Sequence, residues 1–249
     1  MWSIAARELR SLLLSPLAWS ILAVMQIIAG WNFAQIVELF LSPDIQSRLA
    51  NDPNAPGITM MIVDSLFWLV GLVLLLVMPL LTMRLISEER RHKTLPLLLS
   101  APVSMTSIIM GKFLGLISFL LIVLAMLLLM PLSLLLGGNL DFGHLAAGLL
   151  GTILFISAIA AIGLYLSTLT TNPTIAAIST FGVLLLLWMI NLAEYMEEQE
   201  GVLTYLSITN HYQPLLSGIF STEDVIYYLL IMILFLILSI HRLDSDRIQ

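Results

Sequence analysis

Residues 83–104, MRLISEERRHKTLPLLLSAPVS, separate two long apolar stretches with the densest basic charge in the chain. Four of the ten lysines and arginines lie here, at Arg84, Arg90, Arg91 and Lys93. Charged side chains are costly inside a bilayer and concentrate where water or polar headgroups reach them. The stretch therefore predicts a segment in water or at a membrane surface that joins two membrane spans.

The composition of the whole chain is that of a membrane protein. Of its 249 residues, 59% are hydrophobic and 10% are charged, whereas about one quarter of the residues in a soluble domain are charged. The mean hydropathy is +1.03. The absence of cysteine excludes disulfides and thiolate metal sites. A net charge of −6 indicates little affinity for nucleic acid, so no nucleic-acid partner is expected.

The apolar pattern predicts an all-α polytopic fold with six transmembrane helices in one domain, 1–249. A span needs about 20 apolar residues to cross about 30 Å of hydrocarbon. The predicted spans are 17–41, 58–83, 105–136, 144–168, 175–195 and 223–241. The predicted connecting segments are an interfacial helix at 1–16, the surface segment 84–104, an outer re-entrant segment at 196–222 and a tail at 242–249. Residues 42–57 are rich in proline and asparagine, which predicts an outer loop of turns.

The distribution of basic residues predicts the orientation of the chain. With six spans, both termini and the 84–104 segment lie on one side, and that side carries nine of the ten basic residues. Only Arg48 lies on the other side. These nine are Arg7, Arg10, Arg84, Arg90, Arg91, Lys93, Lys112, Arg242 and Arg247. By the positive-inside rule, both termini are predicted to be cytoplasmic.

The first residues predict a short amphipathic helix on the inner membrane surface. Apolar residues from Trp2 to Leu13 recur near helical spacing, and charged residues occupy the opposite face. We expect Trp2, Arg7 and Arg10 to anchor this helix at the lipid interface. Pro16 then begins the first span.

The sequence offers little sign of enzyme chemistry. Gly111 and Lys112 resemble the end of a phosphate-binding loop, but Thr106 replaces its first glycine and Phe113 replaces the magnesium-binding serine or threonine. The histidines have no metal-ligand spacing. They are His92, His144, His211 and His241. We therefore expect no catalytic residues, no metal site and no cofactor in this chain. The spacing of Gly111 and Gly115 is expected to serve helix packing within one subunit.

Three acidic residues, Glu38, Asp64 and Glu194, lie at the predicted outer ends of spans. They either reach headgroups and water as boundary residues or line the outer mouth of a pathway. No ionisable residue is predicted at mid-depth, which argues against an ion-coupled transporter. Any energy for transport would then come from outside the chain.

Residues 84–104 contain signals for two short helices. Ser87 is expected to cap a helix that has Glu88 and Glu89 in its first turn. Thr94 is expected to cap a second helix with Pro96 in its first turn. Two interpretations remain open on physical grounds. In the first, the leucines after Pro96 rest on anionic headgroups. In the second, they enter a groove of a soluble partner.

Three stretches resemble the membrane subunits of type-2 ABC transporters, and within them the gliding-motility permease (GldF-type) group, which includes nitrous-oxide-reductase maturation permeases. They are RELRS at 7–11 with SPLAW at 15–19; PLLTMRLISEERR at 79–91 with TL at 94–95, LLL at 97–99, APVS at 101–104 and GKF at 111–113; and HY at 211–212 with GI at 218–219 and DVIYY at 224–228. Pro96 departs from the glutamate that is usual in that family.

The resemblance implies a permease in the bacterial inner membrane that pairs with a second copy or a paralogue. It also implies a dimer of separate cytoplasmic ATPase subunits that bind ATP and magnesium, and a possible partner with a large extracytoplasmic domain. Residues 84–104 would be the coupling helix, seated in a cleft of the ATPase. The implied docking residues are Glu88, Glu89, Arg90, Arg91, Thr94, Leu95, Leu98 and Leu99. A non-transporting membrane scaffold of a motility, secretion or assembly complex is the alternative function.

Overall fold

The computed structural model describes residues 1–51, 57–94, 103–136, 140–194 and 207–248. Within these residues the chain is helical and contains no strand. The helices are α1 (Trp2–Leu14), α2 (Pro16–Leu41), α3 (Pro43–Asn51), α4 (Ile58–Thr82), α5 (Ser87–Arg91), α6 (Met105–Leu132), a 3-10 turn (Ser133–Leu136), α7 (Phe142–Leu169), α8 (Pro173–Glu194), α9 (Tyr212–Leu216) and α10 (Thr222–Ile248).

Six of the described helices are long and apolar enough to cross a membrane, namely α2, α4, α6, α7, α8 and α10. This confirms the predicted all-α, six-span fold class, and the protein is a multi-pass membrane protein. Many large apolar side chains on α2 are exposed, including Val24, Ile27 and Trp31. Such a surface suits a span that faces lipid.

Helix α7 lies at the centre of the bundle and packs against α4, α8, α9 and α10. Every residue from Phe155 to Leu164 is buried. Small residues in this stretch, including Ala160 and Gly163, allow neighbouring helices to approach closely. A Cβ at Gly163 would lie 2.4 Å from Thr82 Oγ1, so the Thr82 side chain of α4 lies directly against the α7 backbone there.

Helix α1 lies against the beginning of α6, and two glycines make this approach possible. A Cβ at Gly111 would lie 2.8 Å from Ile4, and one at Gly115 would lie 2.6 Å from Cβ of Glu8. The prediction that these glycines serve packing within the subunit agrees with these contacts.

The structure differs from the sequence prediction in the first outer loop and at the last span. The turn-rich prediction for 42–57 was wrong over Pro43–Asn51, which forms α3. Pro43 suits the first helical position, and Asp44 stabilises the first turn through the helix dipole. Helix α10 also continues through most of the predicted tail, to Ile248. Leu243, in this extension, is fully buried.

Candidate docking site at the basic end of the bundle

The basic end is the end of the bundle formed by α1, residues 83–94 and the last turns of α10. Met83–Ile86 form turns after α4, and α5 follows. Lys93 adopts a positive φ of 55°. This left-handed conformation is uncommon for a residue with a Cβ and is typical of the residue that follows a helix. The turns at 83–86 separate residues 83–94 from α4, and Lys93 lies just beyond the end of the short helix α5. We call residues 83–94 the docking segment.

Ser167 near the end of α7 holds the start of the docking segment. Its hydroxyl oxygen accepts hydrogen bonds from the backbone N–H groups of Ile86 and Ser87, both at 3.1 Å. The same hydroxyl donates to the Met83 carbonyl at 3.2 Å. The prediction that Ser87 caps α5 was wrong, because Ser87 is itself the first helical residue and its hydroxyl donates back to the Met83 carbonyl.

Lys112, on α6, is at the centre of an ion cluster at the basic end. Its side chain is 2% exposed, and Nζ lies 2.9 Å from Glu89 Oε1 and 3.1 Å from Glu8 Oε2. Arg7 Nη2 lies 3.4 Å from the same Glu89 oxygen. These side chains also line a partly open cleft of about 500 Å³, bounded by α1, the end of α4 and the docking segment. The cluster joins three elements that are far apart in sequence.

A second ion pair, between Arg90 and Asp246, ties the docking segment to the end of α10. Both side chains are largely buried. The pair explains why helix α10 continues beyond its apolar stretch, since its last turns carry the partner of Arg90. The docking segment is therefore held by α1 and α6 at one side and by α7 and α10 at the other.

The predicted docking residues fall into three groups in the structure. Glu89 and Arg90 point inward and form internal ion pairs. Arg91 and Thr94 are exposed, as are the neighbouring His92 and Lys93. Glu88 is partly exposed and lies 4.0 Å from His92. The predicted contact residues Leu95, Leu98 and Leu99, and the second helix that Thr94 was expected to cap, lie outside the described residues.

The predicted anchor residues of α1 lie on a short helix at the basic end, and their contact with lipid stays a prediction. Trp2 is 76% exposed, and Arg10 is exposed on the same short helix. Ala5 is buried, and Arg7 leans toward Glu89. Trp19, just after the α1–α2 junction, is also exposed, and its indole N–H donates to the Leu13 carbonyl at 2.7 Å. Exposed tryptophans of this kind are typical of a membrane interface.

A sequence family matches nearly the whole of this architecture. The family model described as ABC-2 family transporter protein matches residues 2–246, from the beginning of α1 to Asp246 on α10. The chain belongs to the ABC-2 transporter family. It is therefore a permease subunit of an ABC transporter and a transport component rather than an enzyme. No curated protein matches it in sequence.

The opposite end of the permease contains the predicted pathway acids Glu38 and Asp64, and the structure does not join these two. Asp64 Oδ1 lies 3.3 Å from His144 Nε2 on α7. Glu38 lies in a shallow groove with Phe33 and Val37. No hydrogen bond or ion pair connects Glu38 with Asp64 among the described residues, and the side chain of Glu194 is outside them. A role at the mouth of a pathway stays a prediction.

Tyr212 fixes the short helix α9 to this end of the permease. Its phenol donates to the Phe67 carbonyl at 2.7 Å and lies 2.8 Å from Thr152 Oγ1. Its ring stacks on Phe155, with ring centroids 4.8 Å apart. Burial raises the pKa of the Tyr212 phenol well above its ordinary value, so the hydroxyl stays protonated and remains a donor.

Tyr212→Phe is expected to lower the free energy of unfolding by about 1–3 kcal/mol, because the buried Phe67 carbonyl loses its phenol donor. The measurement is thermal or denaturant unfolding of the purified permease in detergent. Tyr165→Phe is the matched control, since the Tyr165 ring packs against Phe235 and its hydroxyl has no hydrogen-bond partner among the described residues. Equal stability of the two variants would contradict the anchoring role of Tyr212.

Sequence reasoning missed the residues that hold the docking segment. Lys112 entered the charge count, a rejected phosphate-loop match and the family resemblance, but not an ion pair, and Ser167 and Asp246 carried no signal of their own. One clue was available for Lys112, because it lies in the first turns of an otherwise apolar span. A lysine in that position needs an acidic partner, but the sequence does not say which one.

Proposed function

We propose that this permease couples ATP hydrolysis by a separate cytoplasmic ATPase to export of a substrate, or to transmission of a conformational change, across a bacterial inner membrane. The observation that carries the proposal is the docking segment. It is fixed to four transmembrane or interfacial helices, while Arg91, His92, Lys93 and Thr94 face outward. An element exposed to a partner and rigidly joined to the spans is suited to transmit force.

The partner in this proposal is a dimer of ATPase subunits, which bind ATP and magnesium. In this proposal Leu95, Leu98 and Leu99, which lie outside the described residues, bind in a groove of the ATPase. The permease pairs with a second copy or a paralogue, so that each subunit has one ATPase beneath it. We place it in the gliding-motility (GldF-type) group on the strength of the stretches described above, with a possible partner that has an extracytoplasmic domain.

The test of this function is transport by the reconstituted complex. The permease is purified with its ATPase, inserted into lipid vesicles and supplied with ATP and magnesium, while lipids and solutes extracted from the source membrane are followed across the bilayer. We expect ATP-dependent movement of at least one compound class, absent with a non-hydrolysable ATP analogue. ATP hydrolysis without movement would favour the scaffold function, and absence of hydrolysis would contradict the proposal.

The proposal also places the basic end in the cytoplasm, which single cysteines can test because the chain has none of its own. Asp44→Cys, on exposed α3, is expected to react with a membrane-impermeant maleimide in intact spheroplasts. Arg91→Cys is expected to react only after the membrane is permeabilised. The reverse pattern would place the docking segment outside the cell, away from any ATP-driven partner.

A further inference from the structure

Lys112 is a buried cation whose position calls for an explanation beyond packing. A buried ammonium is unfavourable unless carboxylates surround it with good geometry. Here the two carboxylates come from different elements, Glu8 on α1 and Glu89 on α5, at 3.1 and 2.9 Å. Arg7 completes a neutral set of two cations and two carboxylates. The lysine is thus the shared partner of the interfacial helix and the docking segment.

The steric arrangement around Lys112 leaves α1 little freedom. Ile4 packs against Gly111, directly before the lysine. Glu8 and the Ala5 carbonyl pack against Gly115, one turn later. The helix therefore rests on α6 on both sides of the lysine. Lifting α1 from these glycines would also carry the Glu8 backbone away from Lys112 Nζ.

The docking segment has a different kind of attachment on its other side. Ser167 fixes its first backbone groups to α7, and Asp246 pairs with Arg90 from α10. Neither of these contacts involves α1. The Lys112 cluster is therefore the main polar link, among the described residues, between the docking segment and the interfacial helix.

We infer that Lys112 is a positioning residue that makes α1, the docking segment and the first turns of α6 move as one body. A displacement of the docking segment by the ATPase would then be carried through Glu89 and Lys112 to Glu8 and to the interfacial helix. The membrane-embedded start of α6 would tilt together with α1. This inference rests on the proposed function, because it needs a partner that displaces the segment.

Spin-label distance measurements test the inference on the permease alone in lipid nanodiscs. Labels at Arg10→Cys on α1 and Arg91→Cys on α5 lie on exposed positions, and no native cysteine interferes. We expect a narrow distance distribution in the otherwise native chain. Lys112→Met should broaden it about twofold, because two carboxylates lose their common buried cation. Arg84→Met is the matched control. Arg84 lines the same cleft, is exposed and forms no ion pair among the described residues.

Glu8→Gln is the second variant, and it keeps the test decisive if Lys112→Met does not fold. It removes the carboxylate charge that α1 places beside Lys112 but leaves Lys112 paired with Glu89, so the buried cation remains compensated. We expect the same broadening of the distance distribution between the labels at positions 10 and 91. Distances between a second pair of labels, placed at the opposite end of the bundle, should stay unchanged. Native-width distributions in Glu8→Gln, and in Lys112→Met where it folds, would overturn the inference.

A further readout separates positioning from a purely structural role. With the ATPase bound, addition of ATP and magnesium is expected to shift a label on α1 relative to one on α3 in the native chain. Glu8→Gln should still bind the ATPase yet lose that shift, and a shift of native size would overturn the inference. Failure of the proposed function is distinguishable, because the ATPase would then not bind even the native permease.

Discussion

Arg91→Glu combined with Lys93→Glu is expected to release the ATPase from a permease that remains folded. Both side chains are exposed on the docking segment and take no part in the ion pairs that hold it. Reversing two charges at a partner's rim places like charges opposite each other, which costs several kcal/mol of binding free energy. We expect the amount of co-purified ATPase to fall by about tenfold or more.

The measurement is the ratio of ATPase to permease after affinity purification, with thermal stability recorded on the same samples. Arg242→Glu is the matched control, because Arg242 is exposed at the same end of the bundle but lies on α10. Glu89 and Arg90 are unsuitable for this test, since replacing either also breaks an internal ion pair. Retention of the ATPase by the double variant would show that the exposed basic residues do not dock it.

Gly163→Ala is expected to destabilise the bundle by about 1–3 kcal/mol, because the new methyl group overlaps an adjacent helix. Its Cβ would lie 2.4 Å from Thr82 Oγ1 and 2.8 Å from Thr82 Cβ. Thr82 is fully buried, and its hydroxyl already donates to the Met78 carbonyl at 2.9 Å. The side chain therefore cannot turn away easily, and α4 must separate from α7.

Unfolding of the detergent-solubilised permease measures this effect, and two further variants give it specificity. Gly182→Ala, on exposed α8, has no atom within 4 Å of the new Cβ and is expected to leave stability almost unchanged. Thr82→Gly removes all three atoms that Gly163→Ala would meet. The double variant should be more stable than the sum of the two single changes predicts. Additive behaviour would contradict the close contact between α4 and α7.

The six spans and the docking segment could be predicted because each depends on local composition. Long runs without charge define spans such as 144–168, and four basic residues within 84–93 define the interruption between two of the spans. Membrane insertion makes such patterns unusually informative, since a lipid-facing backbone must be helical. Helix α3 was missed because proline and asparagine favour both turns and helix ends, and the local pattern does not separate the two.

The attachments of the docking segment could not be predicted because they depend on pairs distant in sequence. Lys112 and Glu8 are 104 residues apart, and Arg90 and Asp246 are 156 apart. The local pattern around Glu88 and Glu89 indicated a helical first turn but not that Glu89 faces inward. Ser167 satisfies the backbone that Ser87 was expected to cap, and only the tertiary fold brings it there.

The most direct test of the docking segment is a photo-crosslinking amino acid at position 91 of the otherwise native permease, irradiated in source membranes. The account predicts a crosslink to a nucleotide-binding subunit, and no such product from the same amino acid at position 242. Crosslinks to lipid alone, with full incorporation at position 91 and the ATPase present in the membrane, would contradict it. That result would mean that the segment rests on headgroups rather than in a partner's groove.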